Sequence, residues 1–563
     1  EMEGGAKNGS SREGPDDTAV DAAPASPAAK KFDFTPFLGI RADLKRRAPY
    51  YLSDWTDGWH PKVLAATAFM VFTSIAPAIT FAATLSTDTT DNGVTQLGPV
   101  EVILSTTITG CIFAIFSGQP LCIVGVTGPV TIFTIAVYNL ADAMDIEFLP
   151  FYCWVQIWSA AMHMGLSIVN ACDLIKMVTR YSCETFGMLI ATIYIYTGIK
   201  NLAGYFDDKE LEPALLSLLL GLGTCWLALL LSGARTWSIF NKTARVYIAD
   251  YGTTFAVLLF CAVPYFGPAL HALTPDGAPT PPNGTAGLET PATIATLQVP
   301  DSFAPAHSRS WIVNPGDCPG WAIGAAILPG LILTVLFFFD HNVSSLLCQA
   351  PEFGLKKGSA YHWDFFVIGV QILITGLLGI PPVNGLIPQA PLHTDSLCEK
   401  AFRTDDKGRK VEVVVGCHEQ RVSHLAQAGI IGCTLAYTRG IGYLPIAALD
   451  GLFLYMGIAS FAGNTFYQRI LLFITDKERT DARSLPFIDT VPRKTIHLYT
   501  LLQFAILGCI FGITLAPYVD ALFPLCIAIL VPLRAYKLPK YFGAENVDAL
   551  DAEGERPDEA DEL

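Results

Sequence analysis

The sequence predicts an all-α polytopic membrane protein with fourteen transmembrane segments in two inverted repeats of seven, and three observations carry that reading. Hydrophobic residues make up 52% of the 563 residues and charged ones only 15%, against about 25% charged in soluble proteins, so the excess apolar surface must meet a lipid bilayer. Between Pro61 and Leu533, apolar runs alternate with short polar loops at the roughly 20-residue length that a helix needs to span hydrocarbon. Two of these runs, one in each half of the chain, are interrupted by Gly and Pro, the sequence pattern of broken helices in inverted repeats.

The elements follow in order. Residues 1–60 are rich in Gly, Ala, Pro and Ser and read as a disordered cytosolic lead. Residues 61–540 form the transporter domain, with spans expected at Pro61–Phe81, Val100–Phe116, Leu121–Leu140, Phe148–Ala171, Thr185–Leu202, Pro213–Leu231 and Tyr247–Leu270. The second seven are expected at Trp321–Cys348, Phe365–Ile380, Leu386–Cys398, His424–Tyr443, Ile446–Phe466, His497–Ala516 and Ala521–Leu533. Residues 541–563 form an acidic cytosolic tail, which supplies much of the net charge of −15.

Loop charge gives an independent check on the count, because one missed span would invert every later loop. With the N-terminus cytosolic, the cytosolic loops hold Lys176 and Arg180, then Arg235, Lys242 and Arg245, then Lys400 to Lys410, then Arg469 to Lys494. The opposite loops are poor in Lys and Arg, and the long one from Thr274 to Gly320 has Arg309 alone. Both termini are therefore expected in the cytosol, and Asn283, in an Asn-Gly-Thr sequon of that long external loop, is the expected glycan acceptor.

The first break is Gly118-Gln119-Pro120-Leu121-Cys122-Ile123-Val124-Gly125-Val126-Thr127-Gly128-Pro129. Proline lacks an amide donor and clashes with the preceding turn, so the segment reads as an extended stretch to Val126, Thr127 as N-cap, and a new helix with Pro129 in its first turn. The second, Gly379 to Thr394, repeats that grammar, with Pro391 opening a short helix. A Pro kink against a neighbouring helix is the plain alternative for either alone. Two together place helix N-termini, with unpaired N–H groups and positive dipole ends, near the bilayer midplane.

Asp340 follows nineteen uncharged residues of the eighth span. An ionised Asp at the bilayer centre costs on the order of 3 kcal/mol on insertion scales, so it either faces a wet cavity, is protonated, or sits near the cytosolic end sealed by a polar neighbour. Glu101, Asp250 and Asp450 fall at span ends and read as interfacial, and His163 as packing. Fourteen cysteines without a CxxC pair indicate neither a disulfide framework nor a zinc site. Phosphate-loop, zinc-protease and dinucleotide motifs are missing from the sequence, and the basic loops lack interleaved aromatics. No cofactor, metal, nucleic acid or enzymatic activity is expected.

At Gly118–Pro129, at Phe339-Asp340-His341-Asn342-Val343-Ser344-Ser345-Leu346, at Asn384–Thr394 and at Gly451–Arg469, the chain resembles the bicarbonate and anion-exchanger family, specifically its borate-transporter branch as found in fungal borate exporters. The resemblance runs from Asp54 through the last span. It implies a core domain of spans 1–4 and 8–11, a gate domain of spans 5–7 and 12–14, a homodimer, and substrate held between half-helices 3 and 10. It implies Thr127, Gly128, Pro129, Val130, Asp340, Asn342, Gln389 and Ala390 as substrate-binding residues. Gln389 stands where the chloride/bicarbonate exchangers of the family carry Arg, and Asp340 where they carry Glu. A neutral amide suits the hydroxyls of borate or boric acid, which donate and accept.

The functional expectation is a secondary transporter that exports borate across the plasma membrane by elevator-like motion, with Asp340 as proton-coupling site. A bicarbonate or other inorganic-anion exchanger is the alternative within that class, and a membrane anchor or scaffold the alternative outside it.

Overall fold

Pro61 is ready-set for the first turn of a helix and His60 accepts from the Lys62 amide at 3.3 Å, so the first spanning helix begins where its sequence signals place it. The computed structural model describes residues 35–91, 94–208, 211–266, 294–296, 303–306, 309–404, 410–437, 442–462, 464–475, 487–488, 490–516 and 523–551. In chain order, the helices answering to the expected spans are α1 Pro61–Asp88, α2 Pro99–Phe116, α3 Gly128–Ala143, α4 Phe148–Ile168, α5 Arg180–Asp208, α6 Leu211–Ser232 and α7 Lys242–Ala262. They continue as α8 Ile327–Cys348, α9 Tyr361–Leu378, α10 Gln389–Leu397, α11 Val422–Thr434, α12 Ile446–Ala459, α13 Arg493–Thr514 and α14 Phe523–Pro532.

Among the described residues, eight helices are long and apolar enough to cross a membrane, namely α1, α2, α5 to α9 and α13. The others fall short for visible reasons. α3 and α10 have 16 and 9 residues because each starts inside a broken segment; α11, α12 and α14 have 13, 14 and 10. α4 has 21 residues but carries Gln156, Ser159, His163 and Ser167, all buried.

Three two-stranded ladders complete the architecture. β1 Thr90–Asp91 pairs with β2 Val94–Thr95, β3 Val124–Gly125 with β4 Asn384–Gly385, and β5 Cys398–Thr404 with β6 Lys410–Cys417, all antiparallel. The last is a hairpin where the sequence reads as a basic loop. Two apolar clusters hold the helices. One joins α1 to α4 with α8 and α9 through Ala78, Phe113, Val130, Phe151, Phe337 and Ile368. The larger is centred on α5 to α7 and α12 to α14, with Leu189, Tyr194, Leu220, Val257, Phe453 and Tyr499. Within it α6 and α12 approach backbone to backbone, since a Cβ on Gly451 would lie 2.1 Å from the Gly221 carbonyl. Small residues permit that distance between helices in lipid.

The lead is folded from Thr35 onward rather than disordered to His60. Its helix Leu38–Arg47 carries Asp43, whose Oδ2 accepts from the His362 and Trp363 amides at 2.8 and 3.0 Å and so caps α9. Asp54, fully buried, takes Arg47 and Arg421 at 3.0 Å and Lys357 at 2.9 Å. Buried charges of this kind hold only when paired. The expected tail is likewise folded through Asp551: a helix Ala544–Leu550 buries Val547 and Leu550, and Asp551 accepts from the Tyr181 amide and, at 2.8 Å, from Arg534 Nε. The interfacial reading of Asp450 and Glu101 is also corrected. Asp450 is fully buried and accepts from Asn201 and Tyr205 at 2.8 and 3.0 Å. Glu101, equally buried, accepts from the Gly98 and Ala306 amides.

Candidate substrate site

Helix breaks expose backbone groups that lipid cannot satisfy, so each such group needs a partner. The first break finds them in the surrounding helices. Asp364 of α9 accepts from the Gly118 and Gln119 amides at 2.5 and 3.0 Å. His424 Nδ1 of α11 donates to the Pro120 carbonyl at 3.0 Å and His393 Nδ1 of α10 to that of Leu121 at 2.9 Å. The Leu386 amide donates to the Ile123 carbonyl at 2.8 Å. In the second break, Gln156 Nε2 donates to the Ile380 carbonyl at 3.1 Å and the Ser105 hydroxyl to that of Pro381 at 2.5 Å.

Between these holds the breaks meet each other. Val124 pairs with Gly385 and Gly125 with Asn384, and from this crossing α3 and α10 start. Both helices pack on α1. The crossing is tight: a Cβ on Gly385 would lie 2.8 Å from Ser344 Cβ and 3.2 Å from His341 Nδ1, so α8 presses directly against β4.

Asp340, 3% exposed, lies on the α8 turn before Ser344 and accepts from Asn384 Nδ2 at 2.7 Å. Gln389 opens α10, and its Nε2 donates to the Thr73 carbonyl of α1 at 3.1 Å and to the Tyr194 hydroxyl of α5 at 3.0 Å. The Thr73 carbonyl fixes the amide orientation, since it requires a donor. Gln389 Oε1 is thereby left buried and without a partner, as are the Ser74 and Thr127 hydroxyls. Buried polar atoms are rarely left so, and each marks a place for a ligand or water.

Thr127 is the N-cap residue of α3 but makes no side-chain capping bond, which corrects the expected cap. Pro129 supplies no amide at N2, and the Thr127 hydroxyl, on extended backbone, takes none of the remaining ones. Gly128 and Pro129 are half-buried, and Val130 and Ala390 fully buried in the first apolar cluster. Asn342 Nδ2 donates to the Phe338 carbonyl at 2.8 Å within its own helix, and its Oδ1 is buried without a described partner. Two residues after Asp340, it faces another side of α8. Asn283 lies outside the described residues. Reasoning from sequence missed Ser74, Tyr194 and Asn384. Asn384 stands inside the second break, where it and Gln389 are the two amide side chains between prolines, and it could have been found on that ground, whereas Tyr194 sits in an ordinary apolar run without any signal.

The pattern described as the integral membrane domain of HCO3- transporters matches residues 35–214 and 286–555. A Schizosaccharomyces pombe protein named as a transporter is 33% identical over 528 residues, covering 93% of this chain and 97% of its own. Boron transporter 1 of Saccharomyces cerevisiae is 34% identical over 523 residues, 91% of this chain and 85% of that protein. Among solved structures, that of SLC26A9 superposes with a TM-score of 0.49 at 10% identity, covering 88% of this chain and 69% of that one.

Proposed function

The chain belongs to the bicarbonate transporter family, and from that premise we propose that it is a secondary transporter of borate or boric acid. The observation that carries the substrate is the chemistry of the crossing. Residues 118–130, 337–345 and 381–394 include no Lys or Arg, while Gln389 Oε1, the Thr127 hydroxyl and the Ser74 hydroxyl stand buried and unpartnered. A small acid carrying several hydroxyls offers donors and acceptors to such groups together. A permanently charged anion would favour a fixed cation instead. The similarity to a protein named a boron transporter supports the same substrate.

Fourteen spans in two inverted repeats are part of this reading, with the short helices α3 and α10 as the half-spans. The two apolar clusters support a core that carries α3 and α10 and a gate that carries α5. Elevator motion of the core would part Gln389 from Tyr194, the one contact described above that joins α10 to α5. Asp340 takes up and releases the coupling proton. Export across the plasma membrane, cytosolic termini and a homodimer complete the proposal. The second reading, inorganic-anion exchange, draws on the two half-helix N-termini, whose dipole ends favour negative charge. An anchor or scaffold has no use for two breaks so fully supplied with partners.

The test is transport by the purified chain in proteoliposomes, with internal boron measured by mass spectrometry under an imposed pH gradient. Boron flux that follows the gradient is expected. Bicarbonate or chloride flux without boron flux would replace this reading by the second one.

A further inference from the structure

At the start of α1 and the base of the β5–β6 hairpin, three potential metal ligands from separate elements converge. His60 is the N-cap of α1, Glu399 stands in β5, and His418 follows β6. One ligand atom from each lies within 4.8 Å of the other two. The His60 and His418 rings stack with centroids 4.3 Å apart, and His418 Nε2 lies 3.1 Å from Glu399 Oε1. A hydrogen bond to Glu399 accounts for one histidine. The cap to the Lys62 amide holds His60 through Nδ1, but neither bond accounts for both rings, from different parts of the chain, converging on one carboxylate.

We propose that His60, Glu399 and His418 bind a transition cation of the zinc class. Metal–nitrogen and metal–oxygen bonds of about 2.0–2.2 Å put ligand atoms of one tetrahedral ion roughly 3.3–3.5 Å apart. Rotamer changes close the remaining gap, since His60 and Glu399 are exposed and His418 half-buried. Two imidazoles and a carboxylate suit zinc, with water in the fourth position, whereas magnesium and calcium take all-oxygen sets. Ligation through His60 Nε2 moves the ring proton to Nδ1 and gives up the 3.3 Å cap to Lys62. The exchange is small because that bond is long.

The position gives the ion a mechanical role that does not depend on which substrate is carried. β5 begins at Cys398, the residue after α10, and α1 carries the Thr73 carbonyl that receives Gln389. A bound ion ties the β5–β6 hairpin to the start of α1, and so restrains α10 against α1 at a second point.

The test uses the purified full chain in detergent. Zinc should raise its melting temperature and magnesium should not, because a ligand that binds only the folded state stabilises it. Cobalt, as a spectroscopic stand-in, should give visible bands without a thiolate charge-transfer band, which separates this site from the exposed Cys433 and Cys509. His60→Asn keeps a capping oxygen, so the variant should melt as the parent does without metal and lose zinc affinity by roughly tenfold or more. His418→Ala should behave alike. No zinc effect on the parent, an effect undiminished in His60→Asn, or a thiolate band would overturn the proposal.

Discussion

Among the described residues, Asp340 has a single side-chain partner, the amide of Asn384, and takes part in no ion pair. A carboxylate so placed can change its protonation without breaking a salt bridge, which suits a coupling role. Asp340→Asn keeps the shape and removes the proposed proton site. The expected outcome is a protein that reaches the membrane and melts normally while boron flux in proteoliposomes loses its response to a pH gradient; a gradient response equal to the parent's would remove Asp340 from coupling. Thr127 tells a different story from the one its position suggests. Its hydroxyl caps nothing, so Thr127→Val should leave the melting temperature unchanged instead of costing the ~1 kcal/mol of a lost cap. The loss should appear in boron affinity, and a stability drop with normal affinity would show a structural hydroxyl. Gln389→Arg adds a fixed cation at the start of α10, and its expected effect is a shift of selectivity from boron toward bicarbonate, read as the ratio of the two fluxes.

Among the elements, the β3–β4 crossing has little room for added volume. Gly128, the first residue of α3, is less confined. Its Cβ would meet only the Phe81 ring, at 3.3 Å, whereas that of Gly385 would meet Ser344 Cβ at 2.8 Å. Gly385→Ala should therefore cost about 1–3 kcal/mol through overpacking, and Gly128→Ala less. Thermal melts of the two variants give the order, and the reverse order would mean that α8 yields easily at Ser344. Asp364 extends the argument to the other end of the break, where one carboxylate holds the Gly118 and Gln119 amides. Gly, Pro and polar residues made both breaks legible in the sequence, because the backbone rules that forbid a continuous helix are local. Their mutual pairing was not legible, since a two-residue ladder between distant segments has no periodicity to read. The β5–β6 hairpin shows a weaker version of the same limit: Val411, Val413, Val414 and Val415 are β-formers, but the charges around them read as a loop.

At the scale of the whole molecule, apolar run length and loop charge made the helical order legible, while the ion network under the lead was not, because Asp54 and Arg421 lie 367 residues apart. Arg421 also donates to the Ala114 and Ile115 carbonyls at 3.0 and 3.3 Å, so it binds the lead, α2 and the start of α11 together. Arg421→Ala should destabilise by about 3 kcal/mol, the lower end for a broken buried pair, because Arg47 and Lys357 still neutralise Asp54. Melting temperature and detergent-extracted yield report it, and an unchanged melt would show that the network is redundant.

The pairing of Val124 and Gly125 with Gly385 and Asn384 also has a meaning in time. Until the ribosome reaches residue 364, these partners of the first break do not exist: Asp364, Leu386, His393 and His424 are all still to come. The Gly118 and Gln119 amides and the Pro120, Leu121 and Ile123 carbonyls must then wait for those partners, and lipid cannot take them in the interval. The nascent first half is consequently an incomplete solute for a bilayer, which requires the insertion machinery or water to shelter that stretch until the second half arrives. The proposed binding centre is thus complete only once the chain has passed His424, although its first residues are synthesised early.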